Sequence, residues 1–293
     1  MQKTETFDAH QGQVTAILFT PDGATLLSAG MDNAVRRWSV GNWEPAGVLE
    51  GHEKSVNSLA LSPDGELLAT GSSDQTVRLW DLSKSNGQAE LTLQDRKKVV
   101  AAVAISPDGA WLAAGSYGGR AVVWTLEGSE VVGIQASAKN LTSVVFSLDG
   151  EHLATAGLGG DVNVWEIPSG ALVKTLSTHE TAVPSVTSVH GGARLISLGY
   201  EGAIGIWSTE DWELERVVEL NAETPRRLVI SADQKLAALG LEGEVQIWDA
   251  EQWKQLESLE IGTKATGGLA FSPDGSWFAA GAADGKIRTY HRA

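Results

Sequence analysis

Large aromatic residues recur along this chain at Trp38, Trp80, Trp124, Trp165, Trp207 and Trp248, with Tyr290 next in line, at intervals of 42, 44, 41, 42, 41 and 42 residues. So even a spacing restricts the fold more than any other feature, because each copy must be one supersecondary unit packed against the next. Within a copy the apolar rhythm is two rather than 3.6, which predicts strands and excludes helical repeats of similar length. In the second copy Val56 to Leu61 runs to the turn Ser62-Pro63-Asp64-Gly65. Glu66 to Gly71 follows, then a turn at Asp74-Gln75, then Thr76 to Trp80, with Leu91 and Leu93 in a fourth strand. The turn chemistry returns at Pro21-Asp22-Gly23, Pro107-Asp108-Gly109 and Pro273-Asp274-Gly275, with Leu148-Asp149-Gly150 a near match.

A repeat of about 40 to 45 residues built from four short strands is the blade of a β-propeller. The expected fold is all-β: a seven-bladed β-propeller of four-stranded antiparallel blades, one domain over residues 1–293. Gln2 to Phe7 align with the outer-strand segment Ala46 to Leu49, and the last copy runs only through its third strand. The N-terminal strand is therefore expected to complete the last blade and close the ring.

Gly51-His52, Asp74 and Leu79-Trp80-Asp81 resemble the WD-repeat family, and the resemblance extends over the whole chain. It implies a hydrogen-bonded tetrad in a well-formed blade: a histidine ahead of the first strand, a Ser or Thr on the second, an Asp in the next turn and the Trp on the third. Two copies match throughout, at His10, Ser28, Asp32 and Trp38 and at His52, Thr70, Asp74 and Trp80. Elsewhere Gly118, Gly159, Glu201 and Glu242 replace the Asp, and Asp284 lacks its histidine. The fifth copy comes nearest, with His179, Ser197 and Trp207 around Glu201.

Little points to chemistry. With no cysteine and six scattered histidines, no metal-ligand spacing is present, and no metal or cofactor is expected. Ala114-Gly115-Ser116-Tyr117-Gly118 is superficially a nucleophile elbow, but that motif needs a helix where this copy has a strand. Gly157, Gly159 and Gly160 lack the helix N-terminus of a phosphate loop. Glu210, Asp211, Glu213 and Glu215 are expected to be solvated surface. Lys and Arg total 22 against 37 Asp and Glu, a net charge of -15, which disfavours nucleic acid as a partner. No apolar run reaches the roughly 18 to 20 residues of a membrane span, and no signal peptide is visible. A cytoplasmic location is expected.

The family resemblance implies that partners bind the end carrying the segments that lead into the first strands and the turns between second and third strands. The residue before each turn Asp, or its replacement, is Met31, Ser73, Tyr117, Leu158, Tyr200, Leu241 or Ala283. Met31, Tyr117, Leu158, Tyr200 and Leu241 are expected to form an apolar ring around the channel mouth, with Arg96, Lys97, Lys98, Lys139, Arg226 and Lys264 in a basic rim. Trp43, Trp212 and Trp253 each follow a blade Trp by five residues and read as turn packing at the opposite end, where Trp111 and Trp277 also lie. The chain is thus read as a non-catalytic scaffold, alone or within a larger complex, for a protein or peptide that is acidic with apolar anchors. The alternative is an enzyme or small-ligand binder that uses the central channel.

Overall fold

Strand alternation and turn chemistry decide the architecture, and the computed structural model describes residues 1–84, 87–94, 98–189, 192–220, 222, 224–262 and 266–292. Seven four-stranded sheets follow one another along the chain, each an antiparallel meander of inner, second, third and outer strands. The inner strands are Val14–Phe19, Val56–Leu61, Val100–Ile105, Leu141–Phe146, Ser185–Ser188, Arg227–Ile230 and Thr266–Phe271. Each packs beside the next, and the last returns to the first, so they encircle a central channel. The protein is a seven-bladed β-propeller.

The Asp-Gly turns have a local cause. Ser62 Oγ donates to Asp64 Oδ1 at 2.5 Å, the same oxygen accepts the Glu66 N–H at 2.9 Å, and Gly65 takes φ +74°, a region that suits glycine. The second strand, Leu67–Ser72, then starts at a fixed register.

Apolar packing falls into seven clusters of buried residues, one for each contact between neighbouring blades. Leu27, Ala29, Val35 and Leu49 of blade one meet Val56, Leu59, Leu68 and Trp80 of blade two. Ala279 and Ile287 of blade seven meet Val14, Leu26 and Trp38 of blade one. Each repeated aromatic, from Trp38 to Tyr290, lies in the cluster its blade shares with the preceding one. The 41-to-44-residue period is thus the period of interfaces.

Closure uses Gln2–Asp8, which pairs antiparallel with Lys286–His291 and supplies the outer strand of blade seven. Phe7 seals the joint, with its ring 4.8 Å from that of Trp38 and 6.0 Å from Trp43. Removing residues 1–8 leaves a bare strand edge and uncovers Trp38. The truncated protein is expected to melt at lower temperature and to self-associate with rising concentration, as read by calorimetry and size-exclusion chromatography.

Candidate functional site

In a meander blade, the segments leading into the inner strands share one end of the ring with the turns between second and third strands. This lead-in end holds the tetrads. In blade one, His10 Nε2 lies 2.8 Å from Ser28 Oγ, which accepts the Trp38 indole N–H at 2.9 Å, and His10 Nδ1 lies 2.7 Å from Asp32. Blade two repeats this with His52, Thr70, Trp80 and Asp74 at 2.7, 2.9 and 2.7 Å. In blade two the carboxylate facing Nδ1 assigns the imidazole proton there, whereas in blade one the Arg36 guanidinium also reaches His10 Nδ1, at 2.6 Å. Nε2 then accepts the hydroxyl proton, and the hydroxyl oxygen accepts from the indole.

Burial pushes both histidines below the usual imidazole value, against the pull of their carboxylates, which keeps the rings neutral as this chain of donors requires. Burial also resists ionisation of Asp74, but donation from Thr76, His52 and the Glu53 N–H outweighs it and holds the carboxyl at about 2. Asp32 is tied similarly by the Gln11 N–H at 3.0 Å and by Arg36 at 2.7 Å.

Blade five builds the same network around a longer acid: His179 lies 2.5 Å from Glu201 and 2.7 Å from Ser197, and Thr181 also donates to Glu201. Blade four keeps only the Trp165 bond to Thr155, at 2.9 Å. In blade six Trp248 turns instead to Gln246 at 3.2 Å, and in blade seven the buried Tyr290 hydroxyl has no hydrogen-bond partner among the described residues. Arg36 and Thr181 escaped the sequence reading; their signal lay in the spacing of Arg36 four residues after Asp32 and of Thr181 two residues after His179.

The residues before the turn Asp separate into three groups. Met31, Tyr117 and Leu158 are 51, 43 and 40% exposed. Each is fixed beside the start of an inner strand by its backbone N–H, which donates to Gln13, Val99 or Asn140. Tyr200 is held the same way through Ala182 but is half-buried. Leu241 departs from the expected ring: it is 5% exposed and packs with Leu228 and Leu239 in the core between blades five and six. Gly240 pairs with Val245 across four intervening residues, whereas Leu198 pairs with Ile204 across five in blade five. The tighter turn draws the Leu241 N–H onto the Glu244 carbonyl at 3.0 Å and folds the side chain inward.

Of the expected basic rim, Lys98, Lys139 and Arg226 are exposed at this end. Arg96, Lys97 and Lys264 lie outside the described residues. Lys98 runs along the turn that carries Tyr117, since a Cβ at Gly118 would lie 3.8 Å from its Cε. Ser116 is buried in the second strand of blade three and donates to the Arg120 carbonyl at 3.1 Å. Among the described residues no group of three or more His, Asp or Glu side chains is placed to hold a metal. At the opposite end Trp43, Trp212 and Trp253 are buried, each with a positive φ of 55 to 58°.

A family model for the WD domain, G-beta repeat, matches residues 1–39, 43–81, 87–125, 129–166 and 254–291, about two thirds of the chain. The chain belongs to the WD40 repeat family. WD40 propellers generally serve as protein-interaction scaffolds. The unmatched stretch, residues 167–253, holds the WD40 blades with the Glu201 tetrad and the tight turn after Gly240. No curated protein matches the chain.

Two outcomes follow from the WD40 tetrads. Thr70→Val orphans both the Trp80 indole and His52 Nε2, so it is expected to cost roughly 2–5 kcal/mol, against about 1–3 kcal/mol for Thr155→Val, which orphans Trp165 alone. Urea denaturation checks the difference. Because His10 and His52 are held below their unfolded value of 6.5, their contribution to stability is complete above that pH and is lost as pH falls through their folded values. Asp74 adds a further loss between the ordinary Asp value and about 2. The wild-type urea midpoint is expected to fall from pH 8 to pH 5, and a His10→Gln, His52→Gln variant to start lower and change less.

Proposed function

We propose that this WD40 propeller is a non-catalytic interaction scaffold whose lead-in end takes a peptide segment or partner subunit. The supporting observation is the exposure of large apolar side chains at one structural position, the residue before the turn acid or its replacement. In blades three and four, where Gly118 and Gly159 replace the tetrad acid, the turns present Tyr117 and Leu158 to solvent beside the exposed Lys98 and Lys139. Met31 is exposed at the equivalent position of blade one, and Arg226 adds a cation on blade six. Among the described residues, no carboxylate pairs with these three cations.

Apolar anchors ringed by unpaired positive charge suit an acidic segment that carries one or two large apolar side chains. Tyr contributes both apolar area and a hydrogen-bonding tip. Leu241 is not part of this surface, and Tyr200 borders it. The net charge of -15 works against nucleic acid at long range. Under this proposal the protein acts in the cytoplasm, as a monomer or a subunit of a larger complex, with neither cofactor nor metal.

The test is a fluorescence-polarisation screen of acidic peptides with single Leu, Phe or Trp anchors against the wild type and a Tyr117→Ser, Leu158→Ser variant. The expected result is saturable binding that weakens with added salt and falls at least about tenfold in the variant, the loss of one modest hot spot. Equal binding by both proteins moves the surface elsewhere. No binding by the wild type returns attention to the channel.

A further inference from the structure

The inner strands that wall the channel read VTAILF, VNSLAL, VAAVAI, LTSVVF, SVTS, RLVI and TGGLAF, so Arg227 is their only ionisable residue. It stands three residues before its strand ends, where the other blades place Ala16, Ser58, Ala102, Ser143, Ser185 and Gly268. The register agrees: Arg227 pairs with Gly240 as Ser58 pairs with Gly71 and Ser143 with Ala156, each near the lead-in end of its blade.

Small residues stand at this level for a steric reason. Ser58 Oγ accepts the Val103 N–H of the next inner strand at 3.1 Å, and Ser143 Oγ accepts that of Val186 at 3.2 Å, so the slot between adjacent inner strands is one hydroxyl wide. A guanidinium on a three-methylene stem is larger than that slot, so it has to reach past the level at which the hydroxyls of Ser58 and Ser143 sit. Leu228, the next residue, is buried in the core between blades five and six, and alternation turns Arg227 toward the inner strand of blade seven, as the Thr266 and Leu269 side chains close to a Cβ at its partner Gly240 show.

Arg227 is half-buried: water reaches it, yet protein surrounds it closely enough that desolvation lowers its pKa with no charged neighbour contributing. A guanidinium nevertheless stays protonated at any physiological pH. Among the described residues nothing bonds it. An enclosed cation without a counter-charge is costly, and the planar fork of an arginine is matched by a group presenting two oxygens side by side.

We propose that Arg227 makes the mouth of the channel a binding site for one small oxyanion group, a carboxylate or a phosphate, held by paired guanidinium hydrogen bonds. The site does not depend on the peptide surface proposed above, because neither Tyr117 nor Leu158 takes part in it.

Calorimetric titration of the full chain with inorganic phosphate, and separately with acetate, at constant ionic strength tests it. One saturable site is expected for the wild type, weakened at least tenfold in Arg227→Met and retained in Arg216→Met, which removes an exposed cation from the outer strand of blade five. The anion that binds more tightly identifies the class. In anion-poor buffer Arg227→Met is expected to melt no lower than the wild type, since the variant removes an unpaired charge. If it melts lower, Arg227→Lys decides: weaker phosphate binding by a folded lysine variant upholds the site, and unchanged binding overturns it. Absence of saturable binding by the wild type, or equal binding by Arg227→Met, also overturns it.

Discussion

A four-stranded blade has two apolar faces and only its neighbours to cover them, and the packing of one large aromatic into each neighbour contact carries the rest of the structure. The seven clusters correspond one to one with seven contacts, and Trp80, at 1% exposed, shares its cluster with Leu27 and Val35 of the preceding blade as well as with Val56 and Leu68 of its own. Burial of such side chains contributes on the order of 1.5–3 kcal/mol each, which no single blade could gain in isolation. Every contact therefore stabilises two blades at once, and the ring is the arrangement in which none is left uncovered.

On that apolar frame the polar networks are distributed unevenly, with consequences for the lead-in end. In blades one, two and five a buried histidine ties the lead-in segment to the turn acid and, through a hydroxyl, to the indole beneath. Such a network constrains its turn because every member would be costly to leave unpaired. Blades three and four have glycines where the acid would be, and their turns carry exposed apolar side chains. Blade one combines a complete tetrad with the exposed Met31, so the apolar contact area at this end spans blades with and without the network.

Much of this architecture was legible in the sequence because its signals are local. An aromatic every 41 to 44 residues, a Ser-x-Asp-Gly turn and a histidine ahead of a strand each report their own surroundings. What escaped depends on register, which is set between strands. Leu241 aligns with Tyr200 by counting, but the hairpin after Gly240 closes one residue earlier and turns the side chain inward. Arg226 and Arg227 look alike in the chain, yet one is exposed and the other lies in the wall of the channel, a distinction made only by the pairing of Arg227 with Gly240. Tyr117 and Leu158 were readable as candidates because blades three and four keep the common turn length.

The strand that closes the ring has a further meaning for how the chain is made. Gln2–Asp8 precedes blades one to six in the chain and its partner Lys286–His291 follows them, so during synthesis the strand must wait unpaired while those six blades are made. A strand with that task should be able to remain in water without recruiting a stray partner. Its sequence, QKTETFD, is polar or charged at every position but Phe7, and even after pairing most of its residues stay exposed. The clasp is thereby protected against premature association by its own composition: its one apolar side chain meets Trp38 and Trp43 of blade one, while its backbone partner arrives only with the seventh blade.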